Sequence, residues 1–156
     1  MTAGIITVRF TGKDDPTSRM IGLLAGSKEF SHVMTIIDGT AYEATIKHGC
    51  RVVSVTQAMA GVVRYQEMYV PVPDIELAVK FGQAQNGKGY DFNGAMGIPF
   101  LASEDWADWS KWWCSELSFM QIAQGGNWVL DPAFARRVTP THLLMCNYNK
   151  SKIMYN

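Results

Sequence analysis

Apolar and polar positions fall into two regimes along the chain, β-prone runs in the first half and helical spacing in the second. Residues Ile5 to Phe10 cluster as β-formers, Gly12 to Thr17 supply turn chemistry, and the short apolar stretch Met20 to Ala25 fits either a strand or a helix. His32 to Ile37 and Ala41 to Ile46 flank Asp38-Gly39, a dipeptide that accepts the positive φ values of a tight hairpin turn. Two further β-rich runs follow, Arg51 to Val55 and Val62 to Val72, the second closed by Pro71 and Pro73, which cannot donate to a ladder.

After Pro73 the pattern changes period. Asp74 and Glu76 lead into Leu77, Ala78, Phe81 and Ala84 at helical spacing, and Asn86-Gly87 ends the run. Gly87, Gly89, Gly94 and Gly97 mark a loop-rich stretch holding Tyr90-Asp91-Phe92. A second helix is predicted from near Trp112 through Leu117, Phe119, Met120 and Ile122 to the stop at Gly125-Gly126. Pro140 to Leu144 reads as a short helix with proline in its first turn, and Asn147 to Asn156 as a strand or a tail. Strands, helix, loop and helix in that order predict an α+β domain.

With 156 residues and no internal repeat, one domain over 1–156 is expected. Fourteen basic residues balance fourteen acidic ones, so neither disorder nor a nucleic-acid partner is expected. No eighteen apolar residues run without interruption, which speaks against a transmembrane segment, and the N-terminus shows no export signal. A cytoplasmic or phage-associated location is the default expectation. Three cysteines, Cys50, Cys114 and Cys146, are too sparse and odd a set for a disulfide scaffold, so at least one thiol should be free.

Of these, Cys114 in Trp112-Trp113-Cys114-Ser115-Glu116-Leu117 carries the strongest chemical signal. It stands at the predicted start of a helix, where unpaired amides and the dipole favour a thiolate and can hold an oxyanion. A buried cysteine serving as a small apolar residue is the plain alternative. A nucleophilic cysteine needs a base, and the hairpin supplies a candidate. If Asp38 and Gly39 form a two-residue loop, Ile37 faces Thr40, His32 faces Thr45, and Glu43 lies on the diagonal from His32, roughly 7 to 8 Å away at the backbone. A carboxylate there fixes the imidazole tautomer and leaves the other ring nitrogen for the sulfur. A three-residue loop would shift this register. The alternative is a cross-strand His/Glu pair on a solvated face.

The segments Ser31-His32-Val33-Met34-Thr35-Ile36-Ile37-Asp38-Gly39, Tyr42-Glu43-Ala44, Tyr90-Asp91-Phe92 and Trp113-Cys114-Ser115-Glu116-Leu117 together resemble the circularly permuted NlpC-type group of papain-like cysteine hydrolases. The order His, acid, Cys is the permuted one, and the likeness spans roughly residues 30 to 120. It implies a small antiparallel sheet or half-barrel packed against a cysteine-bearing helix. It also implies a catalytic triad of Cys114 as nucleophile, His32 as general base and then acid, and Glu43 as orienter. Tyr90 and Ser115 are its candidates for the oxyanion site or pocket wall. The implied activity is that of a thiol peptidase or amidase on a peptide, isopeptide or peptidoglycan stem peptide, working without a cofactor. Related permuted proteins move acyl groups on lipids, so an acyltransferase or thioesterase with an acyl substrate stays open. A non-catalytic binding module, for instance a phage particle component, stays open too.

Other features weigh less. His48 with Cys50 on one strand face, and His142 with Cys146 on one helix face, supply four potential zinc ligands, at a spacing that matches no recognised zinc pattern. Gly87-Lys88-Gly89 and Gly94-Ala95-Met96-Gly97 lack the lysine and hydroxyl placement of a phosphate cradle and read as loop. Trp106, Trp109, Trp112 and Trp113 crowd the approach to the cysteine helix, either as core and lid packing or as an aromatic wall for a substrate.

Overall fold

A computed structural model describes residues 1–24, 26–27, 29–92 and 110–156. In chain order it contains β1 (Gly4–Gly12), α1 (Pro16–Leu24), β2 (His32–Ile37), β3 (Thr40–Thr45), β4 (Gly49–Ser54), α2 (Val55–Ala58), β5 (Arg64–Val72) and α3 (Ile75–Ala84). Then come β6 (Gly89–Tyr90), β7 (Lys111–Trp112), α4 (Cys114–Gln124), a 3-10 turn (Pro132–Arg137), α5 (Pro140–Leu144) and β8 (Met154–Tyr155). Among the described residues, six strands form one antiparallel sheet in the order β4-β3-β2-β1-β5-β8, and β6 and β7 form a short parallel pair. The molecule is therefore a mixed α and β domain built on a small antiparallel sheet.

The turn between β2 and β3 sets the register of the centre. Asp38 at φ 47° and Gly39 at φ 74° both adopt the left-handed conformation that a two-residue hairpin loop demands. Ile37 accordingly faces Thr40, Ile36 faces Ala41 and Thr35 faces Tyr42. Alternation then divides the side chains between two layers. Ile6, Val8, Phe10, Val33, Ile37, Met68 and Val70 pack with Ala78 of α3 and with Phe119 and Ile122 of α4. On the other face Met34, Ile36 and Ala41 are covered by Ala58 of α2. The inner strands β2 and β3 are consequently buried on both sides.

α4 lies in the middle of the larger layer, with nine of its eleven residues buried. Gln121 ties that layer together: its carbonyl accepts the Thr35 hydroxyl, and its amide donates to the Ala78 carbonyl at 3.1 Å. α3 comes close because Gly82 has no side chain; a Cβ there would stand 2.4 Å from Gln121 Nε2 and 2.5 Å from Tyr42 Cδ1.

Several boundaries differ from the sequence expectation. The ambiguous run at Met20 is helical, as part of α1, which starts at Pro16 behind an Asp15 carboxylate that accepts the Ser18 amide at 2.9 Å. The turn expected over Gly12 to Thr17 is thereby shortened at both ends. Val55 leaves the strand to open α2, because Ser54 and Gln57 form a reciprocal capping box. Trp112 is a strand residue paired beside Tyr90, and the helix begins two positions later at Cys114. The C-terminal stretch contributes the edge strand β8 against β5. Trp106, Trp109 and the Gly94–Gly97 stretch lie outside the described residues. No helix among the described residues is long and apolar enough to cross a membrane.

Candidate functional site

α4 begins without a side-chain cap: Trp113 occupies the cap position and makes no capping bond. The first-turn amides of a helix have no intrahelical acceptor, so here they are left for other groups. One of them, the Ser115 N–H, donates to the Cys114 sulfur, and the Val33 N–H of β2 donates to it from the sheet. The sulfur is thus held between the helix tip and the strand residue that follows His32.

His32 opens β2, and its ring meets both partners that the sequence nominated. Nε2 lies 2.7 Å from Glu43 Oε2, and the Cys114 sulfur is close enough to the imidazole to favour its protonated form. An ionised carboxylate can only accept, so Nε2 donates and Nδ1 is the nitrogen left for the sulfur. The paired register, Ile37 with Thr40 through Thr35 with Tyr42, extended along both strands puts Glu43 on the diagonal from His32, and the two side chains meet.

Glu43 is only 1% exposed. A carboxylate in that position needs compensation, and it receives more than the imidazole alone supplies. Arg51, directly opposite on β4, donates from Nε at 2.7 Å and from Nη2 at 2.6 Å, both to Oε1. The two oxygens are divided: Oε1 belongs to Arg51 and Oε2 to His32. Sequence reasoning missed Arg51. The available signal was an opposite-charge pair across the Ile46–His48 turn, which needed the hairpin count to be extended through a second loop.

The electrostatics follow from these contacts. Burial works against charge on His32, but the bonds to Cys114 and then to Glu43 outweigh it and raise the imidazole above its usual 6.5. Burial likewise opposes a thiolate at Cys114, yet the imidazole bond and charge, with the Val33 and Ser115 amides, pull the thiol below its usual 9.0. Burial also pushes Glu43 toward the neutral form; the bonds and charges of His32 and Arg51 reverse that and hold it below its usual value. A raised imidazole beside a lowered thiol favours a thiolate–imidazolium pair at neutral pH.

Tyr90 sits near the sulfur, held by the pairing of β6 with β7. Burial raises its phenol, and the Cys114 charge and Asp91 raise it further, so it stays a neutral O–H donor. The Ser115 hydroxyl is buried and donates to the Val138 carbonyl at 2.6 Å, tying α4 to the segment before α5. What Ser115 brings to the sulfur is its amide.

The two His/Cys pairs do not converge. Cys50 packs with Ala44 and Leu117, and burial raises its thiol to about 11. Cys146 belongs to the main core with a thiol that burial also raises, and the His142 ring accepts the Thr139 amide at 3.2 Å to cap α5. Among the described residues no group of three or more His, Cys, Asp or Glu comes together to hold a metal ion. All three cysteines are free, and Cys114 alone is shifted toward the thiolate.

No protein-family model and no curated protein matches this chain.

Proposed function

We propose that the chain is a cysteine hydrolase of the permuted papain-like, NlpC-type kind, cleaving an amide bond through a Cys114 acyl-enzyme. The observation that carries this reading is the convergence of three side chains: His32 Nε2 lies 2.7 Å from Glu43 Oε2, the same imidazole interacts with the Cys114 sulfur, and that sulfur stands at the uncapped start of a buried helix. Buried polar groups arranged this way cost stability unless they serve one another, and the pattern of nucleophile, base and orienter is the one nucleophilic catalysis requires.

In this reading the Cys114 thiolate attacks the acyl carbon, and the oxyanion is met by first-turn amides of α4 with Tyr90 O–H as a further donor. The imidazolium of His32 gives its Nδ1 proton to the leaving amine as the C–N bond breaks. Neutral His32 then takes a proton from water, whose oxygen attacks the thioester, releasing the carboxylic acid and regenerating the thiolate. Glu43 stays ionised throughout and balances the imidazolium. The single-domain organisation over 1–156 belongs to this reading, as does a peptide-like rather than a lipid acyl donor.

Iodoacetamide alkylation with site-resolved mass spectrometry tests it. Cys114 is expected to react at pH 6, well below the usual thiol pKa, and the rate is expected to fall at least tenfold in His32→Ala. Equal pH profiles for Cys114 in both proteins would overturn the proposal and favour a non-catalytic module. Turnover of N-acyl amides, set against thioesters and acyl lipids, separates a peptidase or amidase from an acyltransferase or thioesterase.

A further inference from the structure

Arg51 is the one member of this cluster that the triad does not account for. Its guanidinium directs two donors to the same oxygen of a carboxylate that is nearly sealed from water. A surface ion pair would need no such convergence and would contribute little. Here the fork leaves Glu43 one free oxygen, and that oxygen is the one bonded to His32.

We infer that Arg51 is a positioning residue for the proposed hydrolase: by occupying Glu43 Oε1 it keeps the carboxylate ionised and aims Oε2 at His32 Nε2, so that Nδ1 faces the nucleophile. This rests on the hydrolase reading of Cys114 and His32. The chain of cause runs from β4 to β3 to β2 to α4: Arg51 is placed opposite Glu43 by strand register, Glu43 reaches His32 on the diagonal, and His32 reaches the helix tip. Among the described residues, the charged groups facing Glu43 are His32 from β2 and Arg51 from β4, and the titratable groups facing the sulfur are His32 and the neutral phenol of Tyr90. With Arg51 present, the set of thiolate, imidazolium, carboxylate and guanidinium sums to zero charge. Without it, a buried net negative charge remains, and protonation of Glu43 relieves it at the expense of the bond to Nε2.

The test uses the full chain and two readouts. The Nε2–H proton of His32, hydrogen-bonded to a carboxylate, gives a far-downfield NMR signal; in Arg51→Met it should vanish on acidification at a pH about one unit or more above that in the native protein. The Cys114 alkylation rate at pH 7 should fall about tenfold, the scale on which partners one step removed from a reacting group act elsewhere. Arg51→Lys keeps the charge but not the fork and should lie between, and it carries the test should the methionine variant fail to fold. In a Glu43→Gln background, Arg51→Met should produce no further loss.

A native Cys114 that alkylates like an ordinary thiol would end the hydrolase reading and this inference with it. A reactive native Cys114, with Arg51→Lys indistinguishable from it in both readouts, would overturn this inference alone. So would an Arg51 effect that persists undiminished when Glu43 is glutamine.

Discussion

Replacing Glu43 by glutamine keeps the shape of the side chain and removes its charge, and the division of its two oxygens makes the consequence calculable. Arg51 donates twice to Oε1, so the amide carbonyl should remain with Arg51 and the NH2 should turn toward His32. An NH2 group needs an acceptor, so Nε2 must lose its proton and Nδ1 must carry one, facing the sulfur. That is the wrong tautomer for a base. The same inversion in a serine-protease triad costs about 10⁴-fold in turnover, and a loss approaching that, yet smaller than the complete loss in Cys114→Ala, is expected here. Stability should fall as well. Charge-assisted bonds to His32 and Arg51 become neutral ones, at about 1 kcal/mol for each partner. Both partners retain some solvent contact, with side chains 22% and 26% exposed, so the full penalty of an abandoned buried charge does not apply. A total of about 2 kcal/mol corresponds to a fall in Tm of roughly 4 to 8 °C for a domain of this size. Because Glu43 titrates below its usual 4.5 in the folded protein, its contribution is complete above that pH and is lost as pH falls through the lowered native value. The gap in Tm between the two proteins should therefore be constant near neutrality and close in acid. Scanning calorimetry across pH 3 to 8, paired with Cys114 alkylation, reads both effects. A folded Glu43→Gln protein with native Tm and native Cys114 reactivity would refute the argument.

Three further outcomes follow from the same structure. Ser115→Ala strands the Val138 carbonyl and should cost about 1 to 2 kcal/mol in urea unfolding, while Cys114 alkylation stays near native because the Ser115 amide remains; a large loss of reactivity would show that the hydroxyl acts in the site. Gly49 combines φ 65° with a would-be Cβ only 2.3 Å from the Lys88 carbonyl; Gly49→Ala should therefore destabilise by more than about 2 kcal/mol, and a native unfolding midpoint would contradict that close approach. Between the usual His and Cys values of 6.5 and 9.0, a thiolate–imidazolium pair binds as many protons as the neutral pair in the unfolded chain. The stability difference between native protein and a Cys114→Ala/His32→Ala variant should thus be flat in that window, declining below it as the unfolded histidine gains a proton and above it as the unfolded thiol loses one. A slope within the window would mean that the folded pair holds a proton more or fewer than a thiolate–imidazolium pair does.

What the sequence made legible tracks how local the deciding interaction is. Asp38-Gly39 determines its own hairpin, so the diagonal between His32 and Glu43 followed by counting. The link from Cys114 to that hairpin joins residues far apart in the chain, and no periodicity encodes it; only the resemblance pointed there. Arg51 stayed hidden because its pairing depends on a three-residue connection whose length is not evident until Gly49 is seen in the left-handed conformation. The start of α4 was set too early because Trp113 gives no capping signal, whereas α1 did carry one, Asp15 ahead of Pro16, within a stretch read as turn.

The burial of α4 has a consequence for how the molecule can breathe. A helix enclosed on nearly every side cannot fray without dismantling the sheet contacts around it, so its amides should exchange with deuterium only through global unfolding. The Cys114 sulfur then rides on the slowest-opening part of the protein, while His32 stands at the first residue of a strand. Under the proposed hydrolase reading, adaptation to new substrates would come from the surrounding connections, with the helix that carries Cys114 as the fixed reference.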